Sequence, residues 1–400
     1  MKIGYAQSII TPALDKPVYL AGFGSNRRAQ TIHDDLYVRA LAIQTNDAAR
    51  VLCALDLIGF FRMDVYDVIR CVQEKHPSAQ IIMASTHTHH GPDTLGLWGP
   101  DHKTRGVDEK YLADVKTEIV GTIIASLSDP QPATVKTTSV HVPGIARNTR
   151  NPEILDDELT LAQFITAEGQ PLITLFNFPC HPEVLWEHNP DITADYVYYL
   201  RDEAEKQTGA PCIFLSGALG GMMTPDVKDH SFEEAEFIGR KLAEEGLKVL
   251  GTVTTNQSPA ISFQKQLIAA KLTNPLYKIA FRRKLLPDVR NKKGQVESEV
   301  NLIKLGDLWL ATVPGELLPK PGLQLKAWMK EAGAKVTGVI GLANDELGYI
   351  LPVEDFKYPW NPFKPGKHYE ETNSIGREIA PKVMDALKSV IASDRSWNLS

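Results

Sequence analysis

The sequence contains little cysteine, with four in 400 residues. They are Cys53, Cys71, Cys180 and Cys212, and no two of them have the CxxC spacing of a redox motif. The number is also too low for a small secreted domain held together by disulfides. Cys53 and Cys212 lie in apolar, strand-like runs, so we expect buried free thiols in a protein of a reducing compartment.

Long apolar runs and basic tracts are absent as well. No apolar run reaches 18 residues, and the first twenty residues include Gln7, Pro12 and Asp15 where a signal peptide would need an apolar stretch. The sequence therefore predicts a soluble, cytoplasmic protein without a transmembrane segment, although a secreted protein trimmed of its signal peptide would look the same. The net charge is −6 and no run of five or six basic residues occurs, so nucleic acid is not an expected partner.

The composition is 43% hydrophobic, which is enough for a sizeable core. Strand-like and helix-like periodicities alternate along the chain, a pattern typical of an α/β fold. A hairpin pattern around Gly169 adds antiparallel strands, so we expect a mixed β-sheet core flanked by helices. Strands are predicted at 38–44, 51–58, 80–84, 134–142, 159–165, 172–176, 212–216, 260–272, 300–305, 308–312 and 336–340. Helices are predicted at 63–76, 108–127, 195–207, 232–250, 277–285, 321–332 and 374–391.

Three of the eleven histidines lie in the motif THTHH, residues 86–90, directly after an apolar strand. Residues two apart on an extended segment face the same way, so His87 and His89 can share one cleft at the carboxyl edge of the sheet, where α/β proteins commonly bind ligands. His90 would face away. The metallo-β-lactamase motif HxHxDH is excluded because Gly-Pro follows THTHH, and the context of an amidohydrolase HxH, the first strand of a TIM barrel, is not met. A loop cluster of histidines without a metal is the alternative.

Three further residues are candidates because of where they stand in the chain. His181 in NFPCHPE and Glu316 in TVPGE each follow an apolar strand, and Tyr349 in GYI follows an acidic turn. Each residue on its own has an ordinary structural explanation. A capping or surface role would suit Glu316, and a core position would suit Tyr349.

The motifs THTHHGP, NFPCHP, VPGE, GYI and HYEE occur in the order seen in neutral ceramidases. Over most of its length the sequence resembles the catalytic domain of the neutral/alkaline ceramidase family. The THTH motif followed by Gly-Pro is fairly specific, and the ordered set is more so. The resemblance implies a neutral-ceramidase-like fold, in which residues 1–400 form one metallohydrolase domain without the C-terminal immunoglobulin-like domain of that family.

The resemblance also implies a catalytic zinc ion with the ligands His87, His181, Glu316 and Tyr349. Two imidazoles and a carboxylate are an ordinary catalytic zinc set that leaves a position for water. Zinc would lower the pKa of that water towards roughly 7 and polarise the substrate carbonyl. This chemistry serves amide or ester hydrolysis at neutral pH.

Further catalytic groups are implied in the same way. His89 would transfer a proton or stabilise an oxyanion, and Tyr369 of HYEE would lie close to the reacting carbonyl. The family has an arginine that corresponds to one of two residues in the motif IARNTR. We favour Arg147, with Arg150 as the second choice.

The sequence departs from the family pattern in two places. The family segment GDVSP, whose serine lies at the reaction centre, is replaced by GALGGMMTPD at 217–226, where Thr224 is the nearest hydroxyl. The segment between GYI and HYEE is longer than in the family and contains Phe356, Tyr358, Trp360 and Phe363, which predicts a lid or wall over the cleft. Ceramide is therefore not the default substrate.

The function predicted from these features is that of a zinc-dependent hydrolase. It would cleave the amide bond of an N-acyl small molecule or a lipid amide with a metal-activated water. One alternative is an esterase or lactonase that uses the same metal site, and another is a ligand-binding relative that lost catalysis with the serine. The sequence predicts neither the acyl group nor the oligomeric state.

Overall fold

The computed structural model describes residues 1–45, 48–255, 260–357 and 368–393. The strands are β1 Lys2–Ile9, β2 Thr31–Ile32, β3 Tyr37–Gln44, β4 Ala49–Leu55, β5 Gln80–Ser85, β6 Gln131–Pro132, β7 Thr134–His141, β8 Ala146–Asn148, β9 Glu158–Ile165, β10 Pro171–Phe178, β11 Asp191–Ile192, β12 Cys212–Ser216, β13 Met223–Pro225, β14 Ile261–Lys271, β15 Gln295–Leu305, β16 Leu308–Thr312, β17 Glu316–Leu317, β18 Val336–Ile340 and β19 Tyr349–Ile350. The helices are α1 Arg62–Gln73, α2 Glu109–Ser128, α3 Tyr196–Thr208, α4 Phe232–Leu250, α5 Pro275–Arg282, α6 Pro319–Glu331, α7 Tyr369–Thr372 and α8 Ile379–Ser393, with a 3-10 turn at Val353–Asp355.

Three larger sheets share one pattern of strand pairing. Their strand orders are β5-β4-β3-β1-β6, β12-β10-β9-β7 and β14-β15-β16-β18. Each sheet has a single parallel pair, whose strands are joined through a helix: β4 to β5 through α1, β10 to β12 through α3, and β16 to β18 through α6. The other neighbouring strands in these sheets are antiparallel. The predicted α/β class with mixed sheets is therefore confirmed.

The three sheets meet in a shared apolar core. Leu41 and Ile43 of β3 belong to a buried cluster that also receives side chains from β10 and β16. Val38, Ala40 and Ala42, which alternate with them along β3, belong to a second cluster that includes side chains of the helices. Because successive strand residues face opposite sides of the sheet, a strand buried on both faces reads as a continuous apolar run.

The predicted last helix begins later than expected. We predicted residues 374–391, whereas α8 begins at Ile379. The intervening Gly376 has a φ of 142°, outside the helical region, which a residue with a side chain adopts only with strain. The helical periodicity of the sequence continues through this turn, so the pattern alone did not locate the boundary.

The cysteines are free, as expected, and Cys53, Cys180 and Cys212 are buried while Cys71 is exposed. Within the described ranges, no helix combines the length and apolar character needed to cross a membrane.

A buried ion pair joins the first sheet to the second. Asp56, which follows β4, accepts two hydrogen bonds from the Arg201 guanidinium of α3, at 2.9 and 2.8 Å. The backbone N–H of Tyr37 donates to the same carboxylate at 2.9 Å. Both side chains are almost completely buried. Removing one member of such a pair leaves the other charge without compensation, which costs far more than the pair contributes as a whole.

We therefore expect Asp56→Ala to lower the free energy of unfolding by about 3–5 kcal/mol, because Arg201 would stay buried and unpaired. Urea denaturation followed by far-UV circular dichroism measures this change. The matched control is Lys110→Ala, which breaks the exposed pair between Lys110 and Asp114 and should change stability by less than about 1 kcal/mol. Similar losses in the two variants would contradict the role given to the buried pair.

Candidate metal centre and active site

The candidate site lies where loops leave the parallel strands of the three sheets. His87 follows β5, His181 follows β10 and Glu316 follows β16, so each sheet contributes one of these side chains. All three side chains are at least nine-tenths buried. The backbone of His87 has a φ of 68°, a left-handed conformation that costs a residue with a side chain of order 1 kcal/mol or more.

His87 and His181 have the same hydrogen-bonding arrangement. Nδ1 of His87 lies 2.5 Å from the carbonyl oxygen of Ile58, and Nδ1 of His181 lies 2.9 Å from that of Met223. A carbonyl oxygen can only accept, so each Nδ1 carries a proton and Nε2 is the nitrogen that faces the site. The two Nε2 atoms lie 3.8 and 3.1 Å from the Glu316 carboxylate. This is the arrangement in which histidine binds a metal through Nε2.

The electrostatics of the two imidazoles differ. Burial, only partly opposed by Glu316, lowers the pKa of His87 to about 3. Burial also lowers the pKa of His181, but the carboxylates of Glu183 and Glu316 outweigh it and raise the value to about 9. A cation at the Nε2 atoms would replace the proton that His181 otherwise holds.

Glu316 and Tyr349 are brought together by backbone pairing. They are register partners in the short parallel pair of β17 and β19. Gly315 makes the close approach possible, since it has a φ of 149° and a side chain there would collide with the carbonyl oxygen of Gly348. The Tyr349 hydroxyl donates to Met222 Sδ at 3.4 Å, and its ring lies 5.8 Å from that of Tyr369.

His89 completes a group of three histidines. One ring nitrogen from each of His87, His89 and His181 lies within 4.8 Å of the others, so these side chains could hold a metal ion. Nδ1 of His89, however, lies 3.0 Å from the buried carboxylate of Glu183 instead of a backbone carbonyl. His90 is completely buried beside Asp195, outside this group, as its opposite orientation predicted.

The pocket beside these side chains has a cavity of about 70 Å³, and its lining combines apolar side chains with the polar groups of the site. Among its described lining residues none is Lys or Arg. The lining comprises Gly22, Ile58, Phe61, His87, His89, Leu95, Leu97, Trp98, Tyr277, Leu286, Glu316, Glu346, Gly348, Tyr349, Tyr369 and Asn373. Tyr369 lies at the opening, with 43% of its surface exposed.

Three other residues predicted from the sequence, Arg147, Arg150 and Thr224, are not among the residues that line this pocket. The Arg147 side chain is 54% exposed and ion-paired to Asp226 at 3.8 Å, so the structure does not bring it to the histidines. Arg150 is nearly buried and binds Glu370 and Glu371 at 2.6 and 3.0 Å, which anchors the helix that begins at Tyr369.

Thr224 is buried and lies opposite Arg147 in the antiparallel pair of β8 and β13. Its hydroxyl helps to lower the pKa of the Glu183 carboxyl. Of the bulky residues predicted to cover the cleft, Phe356 packs against Leu318, Tyr349 and Leu351. Tyr358, Trp360 and Phe363 lie outside the described residues.

Sequence reasoning missed two carboxyl groups. Glu183 ends the motif NFPCHPE and carried no signal beyond standing two residues after His181. Glu346 lines the pocket, where Oε1 accepts from Gly348 N–H at 2.9 Å and Oε2 has no partner among the described residues. Burial, reinforced by Glu316, raises the pKa of Glu346 well above its usual range. An acidic turn at this point of the sequence gave no indication that a carboxyl group faces the pocket.

Comparisons with known proteins identify the fold. No protein-family model matches the sequence, and no curated protein is significantly similar to it. The structure is similar to the crystal structure of neutral ceramidase from Pseudomonas aeruginosa, with a TM-score of 0.79 and 18% sequence identity, covering 98% of this chain and 74% of that one. It is also similar to a structure of ceramidase complexed with C2, with a TM-score of 0.78 and 17% identity over the same shares of the two chains. The neutral-ceramidase-like fold that the motifs predicted is therefore confirmed.

We expect the purified protein to bind about one divalent metal ion per chain, and His181→Ala to lose it, because the variant removes a ligand and leaves Glu316 without its closest partner. Elemental analysis of the protein after gel filtration measures the stoichiometry. His141→Ala is the matched control, since that side chain is 73% exposed. Equal metal content in wild type and His181→Ala would exclude this site.

Proposed function

We propose that this chain is a zinc-dependent hydrolase that cleaves the amide bond of an N-acylated small molecule or a lipid amide. One observation carries the proposal: His87, His181 and the Glu316 carboxylate converge beside an apolar pocket in a neutral-ceramidase-like fold. The two similar structures are named as ceramidases, which act on a lipid amide, and this supports an amide as the bond that is cleaved.

The side chains fit a zinc ion. Two imidazoles with Nδ1 bound to carbonyl oxygens and a buried carboxylate are a common donor set for catalytic zinc. His87, His181 and Glu316 would hold the metal, and the backbone pairing of Tyr349 with Glu316 makes Tyr349 the fourth candidate. When bound, zinc supplies an activated water and polarises the acyl carbonyl.

The residues of the chain then provide proton transfer and positioning. His89 lines the pocket. It takes a proton from the attacking water as the water oxygen bonds to the carbonyl carbon. When the carbon–nitrogen bond breaks, its electron pair stays on nitrogen, and His89 returns the proton to that nitrogen. The products are a carboxylic acid and an amine. Tyr369, at the opening, is placed to donate its hydroxyl hydrogen to the carbonyl oxygen.

The pocket favours an uncharged substrate with an apolar acyl group. Ile58, Phe61, Leu95 and Leu286 form an apolar wall, and burying apolar surface there contributes about 25 cal/mol per Å². The described lining offers no Lys or Arg to pair with a carboxylate on the substrate. N-acyl amides whose amine part carries no carboxylate are therefore better suited to this pocket than N-acyl amino acids.

We expect the zinc-loaded protein to hydrolyse N-acyl amides, and His89→Ala to lower kcat by about 10²–10⁴-fold while metal is retained, because the variant removes the proton-transfer group. Release of amine from a panel with acetyl, octanoyl and palmitoyl groups, run beside matched esters, measures this. His141→Ala is again the control. Turnover of esters alone would identify an esterase, and a metal-loaded wild type inactive on both panels would refute the hydrolase.

A further inference from the structure

Glu183 is a buried carboxylate in contact with the candidate proton-transfer group. It is 1% exposed, and its Oε2 lies 3.0 Å from His89 Nδ1. Neither this nitrogen nor the Glu183 oxygens have a well-aligned hydrogen bond within the described part of the chain. A buried carboxylate without any partner costs several kcal/mol. The contact with His89 is therefore one of the interactions that offset the burial of this carboxylate.

The partner of Nδ1 separates His89 from the other two histidines of the group. His87 and His181 each have a neutral carbonyl oxygen at Nδ1, which fixes a tautomer without stabilising an added proton. His89 has a carboxylate there, which can only accept and so favours the tautomer with the proton on Nδ1. That difference suits two imidazoles to hold a cation and the third to move a proton.

The ring of His89 is held on its other sides as well. A side chain at Gly22, whose φ is 102°, would lie 2.3 Å from His89 Cγ, so the glycine lets the backbone approach the ring. The Phe23 ring packs edge-on at a centroid distance of 4.9 Å. With Nδ1 at Glu183, Nε2 is the nitrogen that remains for the substrate.

We propose that Glu183 is a positioning residue that holds His89 with Nδ1–H directed to its carboxylate, so that Nε2 accepts and returns the proton in the hydrolysis. The Thr224 hydroxyl interacts with the same carboxylate and supports Glu183 in turn. The hydroxyl that stands nearest to the position of the family serine thus supports the chain from Thr224 to Glu183 to His89 instead of attacking the substrate. The reaction in this proposal rests on the proposed function, whereas the placement of Thr224, Glu183 and His89 does not depend on it.

The first test separates a positioning role from a metal-binding role. We expect Glu183→Gln to keep about one zinc per chain and a KM close to that of wild type, while kcat falls by about 10²–10⁴-fold, because the amide can donate its NH2 group to Nδ1 and favour the wrong tautomer of His89. Thr224→Val should lower kcat less and also keep its zinc. Glu168→Gln, at an exposed turn, is the matched control and should be unchanged.

Two outcomes of this test overturn the proposal. If Glu183→Gln keeps the kcat of wild type, the carboxylate does not act through His89. If Glu183→Gln or His89→Gln loses metal affinity by 10-fold or more, His89 is a ligand and Glu183 orients it for the metal. If Glu183→Gln changes the circular dichroism spectrum and lowers both KM and kcat, Thr224→Val takes its place in the test, because it removes one hydroxyl at nearly constant volume. A kcat of Thr224→Val below that of wild type then supports the proposal, and an unchanged kcat overturns it.

The second test needs no substrate and no variant of Glu183. Proton NMR of wild type with ¹⁵N-labelled histidine should show a strongly downfield Nδ1–H resonance that is lost in His89→Gln. The same resonance should remain in His33→Gln, His141→Gln and His368→Gln, which remove the other histidines with Nδ1 beside a carboxylate. Its persistence in His89→Gln, or its absence from wild type, overturns the placement of His89. If the resonance behaves as expected and no amide is cleaved, the proposed function fails while the contact of His89 with Glu183 stands.

Discussion

The compensation of buried charge is the constraint on which this site depends. Imidazole and carboxylate groups from three sheets meet in a region with almost no access to water, where an isolated charge is very costly. Each group is tolerated because another lies within ion-pair distance: Glu316 lies between His87 and His181, and Glu183 faces His89. Burial would raise the pKa of Glu183, yet His181, His89 and the Thr224 hydroxyl lower it to about 2. No single side chain of this group can be changed without leaving a partner uncompensated.

The three-sheet architecture explains how residues far apart in sequence reach one point. Each larger sheet has one parallel strand pair with a helical crossover, and ligands of α/β folds usually bind beyond the carboxyl ends of such strands. The loops that follow β5, β10 and β16 therefore bring His87, His181 and Glu316 together. The shared apolar core fixes the sheets relative to one another, and that packing sets the distances between these side chains.

The features that could be predicted from the sequence are those that depend on residues close together in the chain. The strands and helices were predictable because each strand of the core is an apolar run and each helix has an apolar stripe. The clustering of histidines after an apolar strand identified His87 and His89, although the left-handed backbone of His87 shows that the segment is not the extended one from which their shared direction was predicted. Arg147 was favoured over Arg150 without a physical reason, because the two stand only three residues apart in the motif IARNTR. Only the tertiary structure shows that Arg147 is exposed and that Arg150 binds Glu370 and Glu371.

Glu183 could not be found from the sequence for a different reason. A glutamate after a proline in a loop is ordinarily exposed, and its partner His89 lies more than 90 residues away in the chain, so no local pattern joins them. For the same reason the sequence does not show the role of Thr224, which by its position is only the hydroxyl nearest to the missing family serine. In the structure the Thr224 hydroxyl helps to lower the pKa of Glu183, and the Glu183 carboxylate lies 3.0 Å from His89. On the proposed mechanism Thr224 supports the carboxylate that holds the proton-transfer histidine instead of attacking the substrate, so water alone is left as the nucleophile.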